Sequence, residues 1–160
     1  MEHNPRAKFP EDNPGSPVVI VVHTLAHAVG ALAAARRAVR PVTILSAPDA
    51  GIYAGPGWFG AVIATARELV PDARFSAFLD CGDQPGAALA AIRAEIEGII
   101  FTGRADVAAR LADIAHQHGV GFLTERAVAT LDLERDFFAS EAESEERCAV
   151  VLAPADVGKE

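Results

Sequence analysis

Short unbroken apolar runs alternate along this chain with longer stretches in which apolar residues recur every three or four positions. The first run, "VVIVVH" (18–23), is β-branched throughout and reads as a strand buried on both faces. "TLAHAVGALAAARRAV" (24–39) follows, with Leu25, Val29, Leu32 and Arg36 on one helical face and Thr24 placed as an N-cap. The same alternation predicts strands at 42–47, 74–80, 98–103 and 120–125, and helices at 57–70, 85–96 and 105–119. Pro71 stops the second helix and Gly119 the fourth. Asp83 stands two residues before Pro85, where an N-cap belongs.

Strands that alternate with helices in this way form βαβ units and a parallel sheet, with right-handed crossovers laying helices on the sheet faces. The stretch is too short for a closed eight-stranded barrel. The predicted fold class is therefore α/β, an open, doubly wound, mainly parallel five-stranded sheet of flavodoxin-like or Rossmann-like type. The alternative is a partial barrel completed by a second chain. Residues 1–17, polar and Pro-rich, read as a flexible N-terminal arm, and 18–138 as a single α/β domain. Residues 126–138 read as a short helix, and 139–160 as an acidic link and a C-terminal apolar segment. That segment, "CAVVLA" (148–153), reads either as an added edge strand or as a surface that docks on a partner.

Charge and composition narrow the partners. The net charge is −8, and residues 132–147 hold seven acids against Arg135 and Arg147. With no basic stripe, nucleic-acid binding is excluded as an expectation. No apolar run reaches the roughly 20 residues that span a bilayer, so no membrane partner is expected. The polar start lacks a signal-peptide stretch, which makes cytoplasmic the default address. Cys81 and Cys148 then read as free thiols. Unguarded sheet edges and the apolar segment predict a homodimer. Lys8 and Lys159 are the two lysines, both near the ends, so a Schiff-base enzyme and a P-loop are both excluded.

In an open parallel sheet, ligands bind beyond the carboxyl ends of the strands. The sequence puts most of its chemistry there. His23 ends the first strand, with His27 one helical turn on. Ser46 ends the second and leads to Asp49 and Tyr53. Asp80 and Cys81 end the third, Thr102 and Arg104 the fourth, Glu125 the fifth. His23, Asp80 and Cys81 are the candidate catalytic groups. An acid or base at a strand end gains from partial burial, and a thiol at a helix N-terminus can be acidified. His27, Ser46, Asp49, Tyr53, Thr102, Arg104 and Glu125 are the candidate ligand-binding groups. His23, Tyr53, Asp80 and Arg104 are expected to converge on one cleft. The i, i+4 histidines have a metal-compatible spacing but no Glu between them, and no metal is assigned. Gly51, Gly55 and Gly57 would let a ligand approach the 46–58 loop closely. Their spacing is not a dinucleotide fingerprint, and no cofactor is assigned.

Residues 78–103, "FLDCGDQPGAALAAIRAEIEGIIFTG", resemble the β-α-β repeats of (β/α) barrels of the KDPG-aldolase type, through Gly and Ala positions. Those enzymes use a strand-borne Lys, and the predicted strands here carry none, so no residue role is carried over. The reading is a protein that binds a small-molecule ligand in a cleft at the strand C-termini. It is either a lyase- or hydrolase-type enzyme using acid–base residues or a non-catalytic binding or assembly module of the same fold.

Overall fold

A computed structural model describes residues 17–154. Nearly all of the predicted N-terminal arm, and residues 155–160, lie outside the described residues. The strands are β1 (Val19–Val22), β2 (Val42–Ser46), β3 (Phe75–Asp80), β4 (Gly98–Ile100), β5 (Gly121–Leu123) and β6 (Leu131–Asp132). The helices are α1 (Leu25–Ala38), α2 (Ala50–Tyr53), α3 (Pro56–Leu69), α4 (Pro85–Arg93), α5 (Ala105–Gln117) and α6 (Glu141–Leu152). The class is the expected one. This is an α/β fold with a parallel six-stranded sheet, consistent with a Rossmann- or flavodoxin-like doubly wound topology.

The strand order is β5-β4-β3-β2-β1-β6. The chain steps outward from β1 to β5, then returns to place β6 on the free side of β1, pairing Ile20 with Leu131 and Val21 with Asp132. The sixth strand corrects the expected count of five. It spans two residues, too few to leave a period in the sequence, and lies where a short helix was expected.

Successive right-handed crossovers in one direction leave their helices on one side of a sheet. Val18, Ile20, Val22, Ile44, Leu79 and Ile99 accordingly pack with buried residues of the helices in the main core. The alternate residues Val19, Val21, Leu45, Phe78 and Ile100 form a second, smaller cluster on the other face. Among the described hydrophobic residues, Leu123 and Ala127 pack against it and no helical residue does. Both faces are thus dry, which is why the strands read as unbroken apolar runs. Ala127 belongs to the link 124–130, which passes this second face as it returns the chain to β6.

The other corrections concern the C-terminal part and one cap. Residues 141–152, expected as an acidic link and the start of an edge strand or partner-docking segment, form α6, which packs on α1. Ser140 and Glu143 close a reciprocal capping box at its start, and Ser144, Cys148 and Leu152 form its buried stripe at i, i+4 and i+8. The apolar segment thus packs within the chain, which removes one of the two reasons given for a homodimer. Thr24 caps α1 as expected, accepting the His27 N–H at 3.1 Å. Asp83 does not cap α4. Gln84 is the N-cap, and Asp83 accepts a bond from the Gln84 side-chain amide at 2.8 Å.

Candidate functional site

β1 and β6 end side by side where the winding reverses, and His23, just past β1, meets Asp132, the last residue of β6. His23 Nε2 lies 2.7 Å from Asp132 Oδ1, with the imidazole side chain 11% exposed. Asp132 also accepts the Glu134 N–H at 2.9 Å, which fixes the carboxylate at the start of the 3₁₀ turn Leu133–Asp136. His27, fully buried in α1, locks this corner from behind. Its Nδ1 accepts the His23 backbone N–H at 3.1 Å, so its proton sits on Nε2, which donates to the Asp136 carbonyl at 3.0 Å. Burial, the largest cause, holds the His27 pKa below its usual 6.5, although the Asp136 carbonyl pulls it up. The Phe137 ring lies 6.4 Å from the His23 ring and 6.2 Å from that of His27, centroid to centroid.

A second polar group occupies the ends of β2 and β3. Asp80 is buried and accepts N–H bonds from Gly82 at 2.8 Å and Asp49 at 3.3 Å on Oδ1. Its own N–H donates to Ser46 Oγ at 2.9 Å. Arg126 completes the group, with Nη1 2.8 Å from Asp80 Oδ2 and Nη2 2.8 Å from the Ser46 carbonyl. Tyr53, exposed on α2, has its pKa raised by partial burial and then by the Asp49 charge; Arg126, Asp80 and Glu134 also act on it.

The remaining candidates lie apart. Cys81 is buried, and burial together with the Asp80 charge pushes its thiol up to about 12, opposite to the acidified thiol the sequence suggested. A buried thiol gains little from a helix terminus. Arg104 is exposed and forks onto Asp106 at 2.9 and 3.1 Å. Thr102 is exposed, its backbone N–H bonded to the Gly82 carbonyl at 2.8 Å, and Glu125 is exposed on the link. Sequence reasoning missed Asp132, Asp136 and Phe137 because they stand in the stretch 126–138, read only as a short helix. Arg126, the first residue of that stretch, was likewise not singled out. Among the described residues, no group of three or more His, Cys, Asp or Glu is arranged to hold a metal.

The larger cavity, about 840 Å³, lies beside the first group. It is a groove between residues 134–139 and α6, lined by Glu134, Asp136, Phe137, Phe138, Arg147 and Val150 among others. A smaller cavity of about 360 Å³ lies between α3 and the end of α4, with Arg67 and Glu97 in its wall. None of the ten residues singled out from the sequence lines either one. Phe137 links the larger groove to the histidines.

Fold and site together define a parallel α/β protein with its polar groups gathered at one sheet edge. The solved structures it resembles include a "putative fructose-1,6-biphosphate aldolase from Coccidioides immitis", at a TM-score of 0.56 and 18% identity. The match covers 66% of this chain and 39% of that one, so the chain spans well under half of that protein's length. At this identity the likeness is one of fold. No family model and no curated protein matches the chain. Among the described residues, no helix is long and apolar enough to cross a membrane.

Proposed function

We propose that the protein binds a small molecule in the groove beside His23, and that the His23–Asp132 pair supplies acid–base chemistry of lyase or hydrolase type. The observation that carries this reading is the 2.7 Å contact between the two side chains at the adjoining ends of β1 and β6. That is the place where an open α/β sheet forms its binding crevice. Asp132 accepts the Nε2 proton, which orients the ring and leaves the Nδ1 lone pair as the basic atom. The groove volume of about 840 Å³ falls in the range that holds small ligands.

A thermal-shift screen of small carboxylates, amines and sugar phosphates tests the reading. At least one compound should raise the melting temperature, and the effect should vanish in His23→Gln. Stabilisation that survives both His23→Gln and Phe137→Ala would contradict it.

One observation favours a non-catalytic binding or assembly module instead. Ser46 and Asp80 spend their polar atoms on neighbours within the chain, and burial keeps the Cys81 thiol protonated. On that reading the screen finds ligands that the protein binds and does not turn over.

A further inference from the structure

We propose that Asp80 Oδ2 and the Ser46 carbonyl form a binding site for a small guanidinium compound, which Arg126 fills as a tethered occupant. The two acceptors receive two N–H groups of one guanidinium plane, at 2.8 Å each. A planar fork satisfies such a pair of acceptors, whereas an ammonium is only a point charge.

The cradle is built without the occupant. Asp80 is held by the Gly82 and Asp49 N–H groups on its other oxygen, and its backbone is tied to Ser46 Oγ. The Asp80 side chain is 5% exposed, and a carboxylate so deeply placed needs a cation beside it.

The occupant is held far less firmly. Arg126 sits in the link between β5 and β6, which has no helix or strand of its own. Hydrogen bonds fasten the link at Arg126 and at Thr130, which exchanges bonds with the Val19 backbone at 2.8 and 3.0 Å. Ala127 adds one methyl to the small cluster, and Val128 is 89% exposed. Shortening the Arg126 side chain therefore empties the cradle while its own hydrogen bonds, with Gly82, Asp49 and Ser46, stay in place. The site stands apart from the groove beside His23 and does not depend on its function.

The test is titration of full-length Arg126→Ala and Arg126→Gln with methylguanidinium chloride, read from the amide resonances of Gly82 and Asp49. Both resonances should move saturably. The affinity should exceed that of the wild type by at least about tenfold, the factor by which a tethered side chain competes when it fills the acceptors about nine-tenths of the time. Tetramethylammonium, equal in charge but without N–H groups, should have no such effect. If either variant is unfolded alone, methylguanidinium should restore its dispersed spectrum where tetramethylammonium does not. Shifts that fail to saturate, a response no greater than that to tetramethylammonium, equal affinity in the wild type, or unfolded variants that stay unfolded would each overturn the proposal.

Discussion

His27 is neutral by construction. Its Nδ1 lone pair is taken by a backbone N–H, so a second proton has no place on the ring without breaking that bond. Its pKa is therefore lower in the folded chain than the 6.5 of the unfolded one. Between the two values the unfolded chain binds more protons. Stability is fully present above 6.5 and falls as the pH drops through that window, by up to about 1.4 kcal/mol per pH unit. Urea unfolding over pH about 5 to 8 should show this slope, and His27→Gln should flatten it. Equal slopes in the two proteins would contradict the assignment. The role of His27 was only half legible in the sequence. Its helical spacing from His23 was clear, but the partner that makes it a latch, the Asp136 carbonyl, is 109 residues away. Asp80 was legible as a buried acid for the simpler reason that an apolar strand leads straight into it. Cys81 was misread because its burial comes from packing, which a neighbouring helix terminus does not reveal.

Among the elements, α1 and α6 make the most extensive contact outside the sheet, and Gly30 lets it close. A Cβ at Gly30 would stand 2.5 Å from Ser144 Cβ and 2.7 Å from the Glu145 backbone nitrogen. Gly30→Ala should therefore destabilise the protein by about 1–3 kcal/mol, because backbone cannot yield as a side chain does. Gly86, in the first turn of α4, has open space where its Cβ would go. Gly86→Ala should stabilise by about 0.5–1 kcal/mol. Denaturant midpoints measure both, and equal signs would refute the packing account. Elements whose apolar period ran for three turns, such as α1 and α5, were readable from the sequence. α6 was not, because Val150 and Val151 beside Cys148 mimic a strand. The Ser140-x-x-Glu143 capping box was the signal that would have found it.

On the scale of the whole molecule, one reversal of winding organises the rest. Steps in a single direction put the main core on one face and leave the second to the link 124–130, whose Arg126 fills the ends of β2 and β3. The return to β1 brings Asp132 to His23 and opens the groove against α6. The gathering of polar side chains at the carboxyl edge was legible from topology alone. Its centre was not, since a two-residue strand decides which ends adjoin. The most direct measurement is amide and side-chain shift mapping of the full-length protein against a mixture of small polar fragments. Binding should gather on His23, Phe137 and Val150, around the groove at the β1–β6 corner. Shifts confined to Arg67, Ile96 and Glu97, at the smaller cavity between α3 and α4, would contradict the assignment.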